Sequence, residues 1–95
     1  MVVGLCELTL VLPGNRSLKG KRKVVRGLVD RLRARHRIAV SETAENDTHD
    51  RGVVGFAVVG NDRRRVRAVL DDVLRTVEET CPAEVIDQEL EVVDW

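Results

Sequence analysis

Few side chains of this 95-residue chain are of the kinds that make or break bonds. The two cysteines, Cys6 and Cys81, lie in apolar stretches and form no CxxC. They read as buried free thiols, not as a disulfide framework or a metal knuckle. Ser17 and Ser41 are the only serines. Ser17 is better used as a helix cap, and no Ser/His/Asp pattern can be placed. Asp47-Thr48-His49-Asp50 is the one local cluster of potential ligands. It lacks the glycine and the twelve-residue spacing of a calcium loop. Leu12-Pro13-Gly14-Asn15 lacks the GxxxxGK[ST] arrangement of a phosphate loop. No enzyme activity, metal or cofactor is therefore expected.

The remaining chemistry is charge. Sixteen basic residues cancel sixteen acidic ones, so the total points to no partner. The distribution does. Arg16–Arg37 holds ten basic residues against Asp30 alone, and Ala68–Trp95 holds nine acidic residues against Arg75 alone. Such asymmetry is informative even at zero net charge. Arginine dominates the basic set, and its planar fork donates two bonds to a phosphate.

Periodicity gives the elements that must position these charges. Val2–Leu12 alternates as a strand and breaks at Pro13-Gly14-Asn15. Ser17 is placed to cap a helix running to about His36, with Leu18, Val25, Leu28, Val29 and Leu32 at helical spacing. Ile38–Glu45 alternates weakly, with Glu42 on the parity of Ile38, Val40 and Ala44. After the polar turn Asn46–Asp50 comes the nearly continuous apolar strand Val53–Val59. Asn61 or Asp62 caps a second helix that stops at Pro82, and Glu84–Val93 is a last strand with Ile86, Leu90 and Val92 on one parity.

The order β-α-β-β-α-β predicts an α+β, ferredoxin-like split β-α-β sandwich. Its four-stranded antiparallel sheet carries both helices on one face. All 95 residues fit one such domain. No apolar run reaches the roughly 18 residues of a membrane span, and Met1–Leu12 carries Glu7 without a basic leader, so a cytoplasmic location is expected.

In this fold the helices run antiparallel, which is expected to bring the end of the first near the start of the second. Arg31, Arg33, Arg35 and Arg37 would then join Arg63, Arg64, Arg65 and Arg67 in one arginine pole. At the opposite end Lys19, Lys21, Arg22 and Lys23 would face Asp72, Glu78 and Glu79. Arg63–Arg65 sit against the helix dipole, offset by Asp71–Arg75 and Arg75–Glu79 pairs. The pole reads either as a phosphate-binding surface or as a solvated helical surface. Base reading of the RRM kind is not expected, because Phe56 shares the core parity of Val54 and Val58. On the first helix Gly20, Gly27 and Ala34 would form a smooth track. The other parity, with Val3 and Leu5 on the first strand and Val53 and Val59 on the third, would form an exposed apolar patch suited to homodimerisation.

Ser17-Leu18-Lys19-Gly20-Lys21-Arg22, entering an arginine-rich helix, resembles the SLKxKR signature of the YlxP-like family of bacterial proteins of unknown function. The run Val53–Gly60 followed by Asn61-Asp62 is similar to the same family, and the resemblance spans nearly the whole chain. Gly20 stands where an acidic residue is common in that family, and the turn at Asp47–Asp50 lacks an aromatic often present there. The resemblance implies a ferredoxin-like fold. Through gene neighbours that include translation initiation and ribosome maturation factors, it also implies a connection to the ribosome or to RNA. The expected protein is a small RNA- or ribosome-associated binding protein that contacts the RNA backbone through the arginine pole. The alternative is a homodimeric protein-interaction or small-ligand module without nucleic-acid binding.

Overall fold

A computed structural model describes all 95 residues. Alternation along β1 (Val2–Val11) turns Val2, Cys6, Leu8 and Leu10 inward with Gly4, and leaves Val3, Leu5, Glu7, Thr9 and Val11 on the other face. The same division runs through β3 (Arg51–Gly60), and through β2 (Ala39–Ala44) and β4 (Glu84–Asp94) up to one register shift in each. The sheet order is β2-β3-β1-β4, every neighbouring pair antiparallel. The helices α1 (Leu18–His36) and α2 (Arg63–Thr80) cover one face and leave the other open. This is the predicted ferredoxin-like sandwich. No helix is long and apolar enough to cross a membrane.

One core of sixteen buried residues lies between the layers, with Leu8, Leu28, Leu32, Val54, Leu70 and Val73 fully enclosed. Phe56 is 4% exposed and belongs to it, as its parity predicts. Gly4 allows α2 to approach β1, since a Cβ there would sit 2.7 Å from both Leu70 Cδ1 and Val66 Cγ1.

Three features depart from the sequence-based expectation. In β2, Glu42 pairs with Val54 but Ala44 pairs with Val53, so a bulge takes Ala44 off the inward parity of Val40 and Glu42. In β4, Thr9 pairs with Asp87 but Leu10 pairs with Val85, so Ile86 is the extra residue of a bulge. Ile86 is 49% exposed, and Val85 takes the helix-side position it was expected to hold. The helices are also shifted along each other. α1 packs on β2 and β3, and α2 on β1 and β3. They meet through their C-terminal halves: Arg31 Nη1 donates to Thr80 Oγ1 at 3.2 Å, and His36 Nε2 lies 2.8 Å from Thr76 Oγ1. The N-terminal halves diverge to opposite ends of the sheet, and the molecule is elongated at 43 × 21 × 18 Å.

Candidate nucleic-acid interface and the lysine that sets it

The start of α1 is held by a small polar network. Ser17 caps it, accepting the Gly20 N–H at 2.9 Å. Asn15 Nδ2 donates to the carbonyls of Ser17 and His49, tying the cap to the β2–β3 hairpin. A Cβ on Gly20 would lie 2.5 Å from Asn15 Oδ1, so the glycine makes room for this side chain. The smooth track expected at Gly20, Gly27 and Ala34 is broken there, although Gly27 does face open space.

Lys21 is the centre of the network. It occupies the inward stripe with Val25, Leu28 and Leu32 and is 0% exposed. Its Nζ donates to Glu42 Oε2 at 2.7 Å, to the Glu45 carbonyl at 2.9 Å and to the Asn46 carbonyl at 3.2 Å. Three donors meet three acceptors, so the buried ammonium is fully satisfied. Lys21 was expected at the mixed-charge end, facing Asp72, Glu78 and Glu79. It is instead a clip between α1 and the β2–β3 hairpin. Two sequence signals point to it: Lys21 falls four residues before Val25 on the apolar stripe, and Glu42 shares the inward parity of Val40. Within the hexapeptide, Ser17 caps, Leu18 is half-buried, and Lys19 and Arg22 stay exposed.

The arginines expected at one pole do not converge. Because α1 ends beside Thr76, Arg63 lies about 20 Å further along α2, thirteen residues at 1.5 Å each. Arg31 is turned to Thr80, and Arg33 Nη2 donates to the Val40 carbonyl at 2.6 Å on the opposite side of α1. Arg37 is the left-handed C-cap residue of α1, and Arg35 is exposed. At the start of α2, Arg63 pairs with Asp94 at 2.8 Å and also donates to the Val92 carbonyl. Arg67 pairs with Asp71 at 3.1 Å. Arg64 and Arg65 are exposed, and their backbone N–H groups are capped by Asp62. Arg75 pairs with Asp72, one helical turn back, instead of with Asp71 or Glu79.

What the fold does assemble is a basic strip along α1. Lys19, Arg22, Lys23, Arg26 and Arg33 lie exposed on one side of the helix, and none forms an ion pair. Arg22, Arg26 and Arg33 line a groove of about 370 Å³ between α1 and β2, with Asp30 and Glu42 as its acids. Sequence reasoning missed this strip because it weighted the arginine-only end over the middle of α1.

The open face of the sheet is of another character. Val3 and Val59 pair across β1 and β3, with Leu5 one row away, but Val53 lies three rows from them beside Thr9. Val59 is 65% exposed and Leu5 42%. Between these ends Thr43 Oγ1 donates to Glu7 Oε2 at 2.6 Å across Gly55. Glu84, Asp87, Glu89 and Glu91 on β4 project to the same face. Cys6 is under the helices, where burial pushes its thiol up to about 11 against a lesser opposing pull from Arg67. It is therefore protonated and unreactive at neutral pH. Cys81, expected to be buried, is only partly so.

Among solved structures, the fold resembles a structural-genomics protein, YJCS, at 9% identity and a TM-score of 0.57, over 97% of this chain and 99% of that one. A de novo designed protein with a ferredoxin fold, LFR1 1, matches at 8% identity and 0.54, over 98% and 83%. Acylphosphatase from Bacillus subtilis matches at 17% identity and 0.50, over 100% and 88%. At these identities the likeness is one of fold alone. A comparison with curated proteins gives no match. Residues 3–90 match the family described as Protein of unknown function (DUF503), and the chain belongs to that family.

Proposed function

We propose that the protein binds the phosphate backbone of RNA, free or in a ribosomal particle, along the solvent face of α1. The observation that carries this reading is that five exposed cations share one side of α1 and none has a carboxylate partner. Arg22, Arg26 and Arg33 follow one another at one and then two helical turns, about 6 and 10 Å along the axis. Arg37, the exposed C-cap residue, follows the strip. The buried Lys21–Glu42 pair ties α1 to the sheet, so the helix that carries the strip is positioned before a ligand arrives. Recognition is of the backbone and not of bases, since Phe56 is buried and the one exposed aromatic, Trp95, follows β4 at the sheet edge opposite the β2 side on which α1 packs. Such binding is nearly sequence-neutral and weakens steeply with salt.

Fluorescence anisotropy of a labelled single-stranded RNA across a salt series tests the proposal. Arg22→Glu/Arg26→Glu is expected to weaken binding at least tenfold and to lower the salt slope by about 0.7 for each phosphate no longer neutralised. Arg64→Glu/Arg65→Glu is expected to bind nearly as well as wild type. Equal binding by the α1 variant would sink the proposal, and weakening confined to the α2 variant would move the binding surface to the start of α2.

A further inference from the structure

We infer that the open face of the sheet docks a basic, apolar-anchored segment of a partner protein. The site is a groove of about 740 Å³ with a floor of Leu5, Gly55 and Ala57 and an acidic rim of Glu7, Glu89 and Glu91. Its other wall is the β2 side chains Ser41 and Thr43 with Ala39. The floor is low at Ala57, which carries little side chain, while Gly55 makes room for the Thr43 side chain that closes the groove on that side. None of the rim carboxylates has a cationic partner within the molecule. Their one side-chain bond is the Thr43 hydroxyl on Glu7, which crosses the face above Gly55 and bounds the groove there.

Charge selects the occupant. The open face carries Glu7, Glu84, Asp87, Glu89 and Glu91 against Arg51 alone, as the strand register shows. Two copies stacked face to face would bring these carboxylates together, and like-charge juxtaposition disfavours that partner. RNA is repelled for the same reason. A segment with lysines or arginines flanking small apolar residues satisfies both the floor and the rim. This face lies opposite the α1 strip, so both partners could be held at once.

The test uses three labelled peptides of equal length on the full chain: alternating Lys-Val, oligolysine, and alternating Glu-Val. Amide-shift mapping is expected to place the Lys-Val peptide on Leu5, Ser41, Gly55 and Ala57. Its affinity should exceed that of oligolysine, and the Glu-Val peptide should not bind. Glu7→Gln/Glu89→Gln/Glu91→Gln, all exposed positions, should weaken Lys-Val binding about tenfold. Arg22→Glu/Arg26→Glu should not reduce it. Shifts mapping elsewhere, oligolysine binding equally well, or an unchanged triple variant would each overturn the inference. So would concentration-dependent self-association of the chain alone that the triple Gln variant alters, because the occupant would then be a second copy.

Discussion

The two helices are both arginine-rich, and the fold pairs more of the charges of α2, where Arg64 and Arg65 alone stay free, than of α1. Along α2, Arg63, Arg67 and Arg75 each find a carboxylate within the chain. Along α1 the only paired cation is Lys21, which is turned inward and buried, while the outward ones form no ion pair, even with Asp30 beside them. Composition explains part of this, since α1 contains Asp30 alone and α2 contains Asp71, Asp72, Glu78 and Glu79. Position explains the rest. The acids of β2 and β4 reach one cation of each helix, Glu42 for Lys21 and Asp94 for Arg63. An intramolecular pair consumes a charge, whereas an unpaired strip leaves it available to a ligand. The contrast between helices thus carries more functional meaning than the number of arginines.

The largest expected effect comes from breaking the one buried pair. Lys21→Met keeps length and apolar fit but leaves Glu42 and two carbonyls without their donor. A cost of about 3 kcal/mol is expected from urea denaturation, a large share of the roughly 5–15 kcal/mol typical of a small domain. Leu70→Ala, an equally buried site on α2, should cost a similar amount, about 2–5 kcal/mol, through its cavity alone. The two are told apart by a second substitution: Lys21→Met/Glu42→Leu should regain much of the stability, because the stranded carboxylate is gone. A cost below about 1 kcal/mol for Lys21→Met would show that Glu42 relaxes into water and that the clip does not fix α1.

The caps sharpen the comparison at a smaller scale. Asp62 Oδ1 accepts two backbone N–H groups, from Arg64 at 2.9 Å and Arg65 at 3.1 Å, and adds a negative charge at the positive end of α2. Ser17 Oγ accepts one N–H. Asp62→Ala is expected to cost about 1–2 kcal/mol and Ser17→Ala about 1 kcal/mol in thermal denaturation. The reverse order would mean that the Ser17 cap is coupled to Asn15 and the Lys21 clip, so that removing it loosens the hairpin as well.

Much of the architecture was legible because it is written locally. The alternation of β1, the apolar run of β3, Ser17, Asp62 and Pro82 marked the elements, and their order set the fold. The exposed apolar residues of the open face followed from the same parity. The meeting of the arginines did not follow, because it depends on how far one helix slides past the other. That slide is governed by long-range contacts, chiefly Lys21 to the hairpin and His36 to Thr76. Lysine reads as a surface residue on average, which hid Lys21 even though its stripe placed it inward. Ile86 failed for a different reason: a one-residue bulge reverses a period-2 pattern without any change in composition.

The smallest expected effect concerns how each helix ends. α1 closes on Arg37 in the left-handed region, at φ 51° and ψ 47°, with its N–H donated to the Arg33 carbonyl at 3.0 Å. A side chain there meets its own backbone, and glycine is the residue that this position favours. Arg37→Gly is therefore expected to gain about 0.5–1 kcal/mol, raising the melting midpoint by a few degrees. α2 ends differently: Cys81 is extended at φ −82° and ψ 124°, and Pro82 follows. Glycine at that site relieves no strain, adds freedom to the unfolded chain and removes a side chain packed against the core. Cys81→Gly should thus lower stability by about 1 kcal/mol. Opposite signs at the two ends would confirm that the closure of α1 is strained. RNA affinity measured on Arg37→Gly then separates two roles for the residue. Unchanged binding would leave Arg37 as a cap alone, while weaker binding by a more stable protein would make it the terminal contact of the α1 strip.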